Sequence, residues 1–356
     1  MALAQAAEAQ HFAAIGDYGY ASTLEADVAR LVKSWNPEFI ITLGDNNYDQ
    51  GAASTIDANI GQYYHEFIGA YKGAYGSGSP TNRFFPALGN HDTSAGGGVP
   101  YTDYFTLPGN ERFYSFVRGQ VQFFVLNSES TEVDGTSSTS RQALWLKAEL
   151  AASRAPWKVV YFHEPPYSSG SHGSNLGMRW PFQEWGASLV LAGHDHHYER
   201  LVVGGLTYCV NGLGGRSIYG VTNAIGGSMV RYNADYGAQL FDAGPDSLCV
   251  RFYTRTGHLV DSFTLRPGLS AEPRLLAVYP TPFEENARVE FSLPGDDEVE
   301  IRLLNALGQQ VAVLQQGRLR AGHHEVVYKR GGLAASIYFV QLRSGHYQPV
   351  MRTVAR

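Results

Sequence analysis

Short, wholly apolar runs that stop abruptly at a polar motif constrain this chain most. Phe39-Ile40-Ile41-Thr42-Leu43 runs into Gly44-Asp45-Asn46-Asn47-Tyr48, Lys158-Val159-Val160-Tyr161-Phe162 into His163, and Ser188-Leu189-Val190-Leu191 into Gly193-His194-Asp195-His196. Such runs, apolar without alternation, are what strands buried on both faces require, and polar groups gather where they end. Gly16-Asp17-Tyr18-Gly19 and Gly89-Asn90-His91-Asp92 complete a set of five motifs spread over about 180 residues. Between the first two, Leu24, Val28, Leu31, Val32 and Trp35 recur at helical spacing. Ser22 opens that helix with Glu25 three residues on as a capping box, and Pro37 closes it, giving a βαβ unit. A second helix is expected near Ser140 to Ala151, with Leu144, Trp145 and Leu150 among its apolar positions. Phe113 to Val117 and Val121 to Leu126, joined by Arg118-Gly119-Gln120, read as a hairpin.

Taken singly, none of these motifs is specific. Gly-Asp after a strand is common at turns, and a lone Tyr or His, such as His11, His65 or His258, is usually packed or solvated. Gly-His-x-His says more, because residues i and i+2 point the same way on an extended strand end. Together the motifs supply what two neighbouring metal ions need, hard oxygen donors plus imidazole. Asp17, Asp45, Tyr48, Asn90, His163, His194 and His196 are seven ligating side chains, which suffice for two ions if Asp45 bridges.

The order of the motifs resembles the metallophosphoesterases, and two details resemble the purple acid phosphatases in particular. Most of that superfamily carries Asp-x-His in the first motif, with the His a ligand; here the position is Gly19, and Tyr48 stands three residues after Asp45 as the replacement donor that purple acid phosphatases use. The resemblance covers roughly residues 11 to 266. It implies a four-layer α/β/β/α sandwich with mixed sheets and a secreted phosphatase acting on phosphate monoesters. It also implies that Asp17, Tyr48 and His196 hold Fe(III), that Asn90, His163 and His194 hold a divalent ion (Fe, Zn or Mn), and that Asp45 bridges. Hydroxide formed at the metals would then attack phosphorus in line with the leaving alkoxide. His91 and His172 match positions of histidines that orient phosphate or protonate the leaving group. His197 directly follows the metal pair but points away on an extended backbone. Val210-Asn211-Gly212-Leu213-Gly214-Gly215 resembles the family's glycine-rich strand end, whose role is steric. Two other readings stay open: a phosphoesterase for diesters or nucleotides, and a surface-displayed binding protein.

A formal charge of −6 without a basic block argues against nucleic acid as an electrostatic partner, and no apolar run reaches the roughly 20 residues of a membrane helix. Met1-Ala2-Leu3-Ala4-Gln5-Ala6 reads either as the small-residue end of a secretory signal or as a plain terminus. Cys209 and Cys249 could close a disulfide or remain two thiols. Pro267-Gly268-Leu269-Ser270-Ala271-Glu272-Pro273 carries loop formers and no periodicity, which sets an expected boundary between a catalytic domain at 11–266 and a β-sandwich domain at 275–356. Beyond it, Val289 to Leu293, Val299 to Leu303 and Ile337 to Leu342 alternate in hydropathy between Gly, Pro and Asn turns, as in a small all-β immunoglobulin-like sandwich. Tyr279-Pro280-Thr281-Pro282-Phe283, Asn305-Ala306-Leu307-Gly308-Gln309, Ala321-Gly322-His323 and Leu333 to Phe339 resemble the C-terminal sorting domain of bacterial type IX secretion, with Thr281 and Ser336 where Asn and Gly are usual. That resemblance implies export, with the secretion machinery as partner. From residue 275 onward nine Lys/Arg oppose eight Asp/Glu, so this tail is not a charged anchor.

Overall fold

The computed structural model describes residues 9–94, 96–221, 224–267, 272–345 and 347–356. The Met1 to Ala6 segment and residues 268–271 of the expected boundary lie outside the described residues. Two compact units divide the chain at Thr264/Leu265.

The first unit is built on β1 (Gln10–Ile15), β2 (Phe39–Thr42), β3 (Phe84–Pro86), β4 (Tyr114–Arg118), β5 (Val121–Val125), β6 (Trp157–Tyr161), β7 (Leu189–Ala192), β8 (Tyr198–Val203), β9 (Leu206–Asn211), β10 (Ser228–Tyr232), β11 (Gly237–Ala243), β12 (Leu248–Thr254) and β13 (Leu259–Leu265). One sheet runs β13-β12-β11-β1-β2-β3 and the other β10-β8-β9-β7-β6-β5-β4. Both are mixed: β1, β2 and β3 are parallel, as are β5, β6, β7 and β9, while β11 joins β1 antiparallel. The expected hairpin is β4–β5, with Tyr114 opposite Val125 and Arg118 opposite Val121.

Aromatic rings fill the space between the sheets. Phe12 stacks on Phe39 and Phe241 of its own sheet and meets Phe123 of the other edge-on at 5.1 Å, while Phe85 stacks on Phe116 at 3.9 Å. Buried Tyr161 and Tyr114 would lose hydrogen bonds there, and they recover them by donating to Phe85 O and Pro86 O across the gap. Helix α1 (Thr23–Ser34) buries Val28, Ala29 and Val32. The helix Arg141–Ala152 packs Ala143, Leu146 and Leu150 with Phe124, Leu126, Val160 and Phe162.

Two local expectations need correction. Ser22 caps α1 by accepting from Glu25 N at 3.2 Å, but the Glu25 carboxylate accepts from Tyr20 N at 3.1 Å, tying the helix to the loop before it. Leu144 is exposed on the solvent face of its helix, and Gln142 is buried instead, because its amide bridges Asn127 and Gly135. The segments 52–59 and 96–104 are partly helical, at Asp57–Gly61 and Val99–Tyr104. Asp57 links them by accepting from Tyr71 and Tyr104 at 2.5 and 2.8 Å. Cys209 lies on β9 and Cys249 on β12, in different sheets, and both are free thiols.

The second unit has β14 (Arg274–Tyr279), β15 (Asn286–Leu293), β16 (Asp297–Leu304), β17 (Gln310–Leu319), β18 (Gly322–Lys329), β19 (Ser336–Ser344) and β20 (Val350–Ala355). They form antiparallel sheets β14-β15-β18 and β17-β16-β19-β20. The alternate residues Val289, Phe291, Ile301, Leu303, Val340 and Leu342 share one core with Phe283 and Tyr338. No described helix is long and apolar enough to cross a membrane.

Each unit buries its own apolar side chains, so a chain ending at Arg266 is expected to fold and to bind metal as the full chain does. Thermal unfolding and metal content of the shortened chain check this. Loss of both on truncation would show that the units depend on one another.

Candidate metal centre

The seven described strands of the first unit in parallel pairings, β1, β2, β3, β5, β6, β7 and β9, send their following loops to the site. Asp17 follows β1, Asp45 and Tyr48 follow β2, Asn90 and His91 follow β3, His163 follows β6, and His194 and His196 follow β7. The loop after β5 carries Asn127, Ser128 and Glu129. Asp17, Asp45 and His194 have φ of 55°, 53° and 68°, the left-handed region that L residues usually avoid. The backbone holds them there: Asp17 N donates to Gly44 O at 3.1 Å, Tyr48 N to Gly19 O at 2.8 Å, and Gly193 N to His163 O at 2.9 Å. Such strain concentrates at functional sites when surrounding bonds enforce it.

Two glycines matter sterically. A Cβ on Gly19 would sit 1.7 Å from Asn46 O, so the loops after β1 and β2 could not approach. A Cβ on Gly212 would lie 2.4 Å from Asp195 O and 3.0 Å from Asp17 Oδ2, which gives the glycine-rich strand end the steric role expected of it.

The seven donors fall into two groups of three with a carboxylate beside them. Tyr48 Oη, Asp17 Oδ1 and His196 Nε2 are each 3.2 Å apart. Asn90 Oδ1 lies 3.0 Å from His163 Nε2 and 3.1 Å from His194 Nδ1, and those two nitrogens are 3.2 Å apart. Asp45 Oδ1 is 3.4 Å from His163 Nε2 and groups with Asp17 and His163 as a possible metal-binding triad. Donors about 2.0–2.2 Å from a common ion stand about 3.0–3.5 Å apart, so these separations fit metal coordination.

The protonation pattern agrees. His163 turns Nδ1 to Leu43 O at 2.9 Å and His196 turns Nδ1 to Ser217 Oγ at 2.7 Å. The Leu43 carbonyl fixes His163 Nδ1 as a donor and turns Nε2 to the cluster; burial opposes the imidazolium, but the charge and hydrogen bond of Asp45 outweigh it and hold the His163 pKa well above the usual value, so a bound cation would take the place of its Nε2 proton. Protons on Tyr48 Oη and His163 Nε2 hold these atoms together here, and metal ions would take the place of those protons. Asp17 and Asp45 are buried, and their ion-pair partners among the described residues are histidines, not Lys or Arg. Burial disfavours the Asp45 carboxylate, but the charge and hydrogen bond of His163, with help from His91, outweigh it and hold its pKa low. Burial and His163 push His194 down to about 4, which keeps its lone pair free. Burial first, then Asp17 and Asp45, hold the Tyr48 phenol neutral unless a stronger positive charge displaces its proton.

His91 and His172 flank this cluster. The ring of His91 packs on Tyr48 with centroids 4.3 Å apart; its Nδ1 meets Asp49 O at 2.5 Å, which leaves Nε2 facing Asp45 Oδ2 at 3.9 Å. His172 is exposed, with its ring 4.5 Å from that of His194. His197 is buried against Glu199 at 3.2 Å, away from the donors.

Several residues that shape the site carry no sequence signal of their own. Asp92 accepts from Gly89 N and from the Asn46 backbone and side chain, clamping the loops after β2 and β3. Asp195 accepts from Ser168 Oγ at 2.5 Å, His172 N at 2.9 Å and Gly173 N at 3.2 Å, so it places the His172 loop. Asn59 bonds Asn47 Oδ1 and Tyr48 O, bracing the Tyr48 loop. Glu129 is buried near His163, and burial pushes its pKa up to about 8. A carboxylate or amide beside a turn is too common in sequence to single these out.

Residues 11–198 match the calcineurin-like phosphoesterase family, and residues 277–355 match a secretion system C-terminal sorting domain, which indicates secretion or display at the cell surface. An uncharacterised protein of Mycobacterium tuberculosis is 34% identical over 145 residues, 33% of this chain and 27% of that protein. Purple acid phosphatase 23 of Arabidopsis thaliana is 29% identical over 221 residues, 52% of this chain and 46% of its own. Tartrate-resistant acid phosphatase type 5 of Rattus norvegicus is 24% identical over 240 residues, 57% of this chain and 72% of its own. The chain thus spans less than half the length of the first two relatives. Among solved structures, a purple acid phosphatase from yellow lupin seeds superposes with a TM-score of 0.61 at 19% identity, covering 73% of this chain and 54% of that one. GAP50 of Plasmodium, described as the anchor in the inner membrane complex, gives 0.59 at 16% identity, covering 74% and 90%. At these identities the two structures establish the fold alone.

Proposed function

This chain belongs to the calcineurin-like phosphoesterase family, and from that premise we propose that it is an exported acid phosphatase hydrolysing small phosphate monoesters at a dinuclear centre. The observation that carries the reading is the convergence of seven donors around two buried carboxylates that have no Lys or Arg partner among the described residues. Asp17, Tyr48 and His196 would hold Fe(III), since a phenolate is a hard, basic donor suited to a trivalent ion. Asn90, His163 and His194 would hold a divalent ion, Fe, Zn or Mn, with Asp45 shared. Held by these residues, the ions would supply Lewis acidity to a water and to the phosphoryl oxygens.

The protein's own groups do the rest. Asp45 and Asp17 fix the spacing of the two donor sets. His91, with Nδ1 committed to Asp49 O, keeps Nε2 for a phosphate oxygen or for the leaving group. His172, placed through Asp195, offers the same from beside His194. The C-terminal sorting domain makes the export machinery the expected partner.

A substrate panel on the metal-loaded protein tests this. An activated aryl monoester and an alkyl monoester should both turn over well ahead of a diester. If His91 or His172 protonates the leaving group, its replacement by Ala should slow the alkyl ester on the order of 10²-fold and the aryl ester much less, at unchanged metal content. Equal losses on both would assign that residue to phosphate positioning, and faster diester turnover would overturn the monoesterase reading.

A further inference from the structure

Arg216 brings a guanidinium against the donor set. Its backbone N–H donates to Asp17 O at 3.3 Å, and its Cζ lies 4.1 Å from the Tyr20 ring centroid and 5.3 Å from that of Tyr48. Nη2 donates to Asp49 Oδ1 at 2.9 Å, while Nε has no hydrogen-bond partner among the described residues. The carboxylate of Asp49 is 61% exposed and the Arg216 side chain 30%. Water therefore screens the anion more than it screens the cation packed on the two rings. A guanidinium already hydrogen-bonded through Nη2 to a carboxylate and laid on aromatic faces is poorly placed to clamp substrate phosphate.

We propose that Arg216 is a positioning residue that sets the electronic energy of the Tyr48 ring. Asp49 and Tyr20 hold the guanidinium in place, and its positive charge stabilises the filled π level of the phenolate. The inference rests on the reading that Tyr48 binds a ferric ion as phenolate. In such a pair, visible absorption moves electron density from the ring to the ion. A cation beside the ring lowers the donor level and raises the transition energy, so removing the charge shifts the band to longer wavelength.

The test uses full-length, iron-loaded protein under oxidising conditions, comparing wild type with Arg216→Gln, Arg216→Met and Arg216→Lys by visible absorption and metal content. The backbone bond to Asp17 survives in all three. Gln and Met should red-shift the band on the order of 10 nm, the scale of a cation–π interaction set against a visible transition. Lys, which keeps the charge, should stay close to wild type. A coloured wild type with unmoved Gln and Met bands overturns the assignment of Arg216 alone, as does a Lys shift equal to that of Met, which would make packing the cause. A colourless wild type overturns the ferric-tyrosinate reading and this inference with it.

Discussion

Gly19→Ala is expected to dismantle the site without touching a ligand. The added Cβ would stand 1.7 Å from Asn46 O, a backbone atom of the loop that carries Asp45 and Tyr48. No rotamer change relieves a clash between a Cβ and a main-chain oxygen, so one loop must move. The bonds Gly19 N to Asp45 O and Tyr48 N to Gly19 O would be lost with that shift. A cost of about 4 kcal/mol or more, in the rare class of severe single substitutions, should appear in urea unfolding, with metal content falling in parallel. Gly19→His should fare no better, because its Cβ meets the same main-chain oxygen. A folded, metal-loaded Gly19→Ala protein would contradict the geometry described above.

Asp45→Ala is expected to have the largest effect on activity. Asp45 is buried, accepts from His91 N at 2.9 Å and lies 3.4 Å from His163 Nε2, so it touches one donor group and the backbone of the flanking histidine. Removing it takes one anion from a cluster whose other donors are mostly neutral. Metal analysis should find fewer than two ions per chain, and kcat/KM should fall on the order of 10⁴-fold, as when one member of an interdependent catalytic set is removed. Asp45→Asn keeps the shape but not the charge and should lose metal affinity for that reason alone. Two tightly held ions in Asp45→Ala would show that this carboxylate does not bridge.

Much of this architecture was legible because its signals are local. A strand buried on both faces announces itself as an unbroken apolar run, and the polar residue that ends it is the one the parallel topology carries to the shared end of the sheets. The order of the motifs and the resemblance it carries single out Asp17, Asp45, Tyr48, Asn90, His163, His194 and His196, whose side chains lie in two adjacent groups of three with Asp45 beside them. Alternation in the tail likewise marks β15, β16 and β19.

What escaped the sequence depends on partners far along the chain. Asp195 serves residues 168 to 173, Asp92 serves Asn46, and Asn59 serves Asn47, pairings that no periodicity encodes. Leu144 is exposed for a related reason: helical spacing gives a face, but the Gln142 amide, buried against Asn127, turns that face away from Leu144. Glu25 has the spacing of a capping box, yet its carboxylate accepts from the amide of Tyr20, a pairing that the spacing does not encode.

The central claim is a dinuclear centre in which Tyr48 is a ferric ligand. Its most direct test is the visible spectrum of the purified protein after iron loading and oxidation, measured beside Tyr48→Phe with metal content determined on both. A phenolate bound to ferric iron absorbs in the visible, so the wild type should be purple to pink. Tyr48→Phe, which removes only the oxygen that sits 3.2 Å from Asp17 and from His196, should be colourless. Some turnover at a higher pH optimum is compatible with that result, because the mutant retains donors for divalent ions. A colourless, fully iron-loaded wild type, or a band that persists unchanged in Tyr48→Phe, would contradict the account.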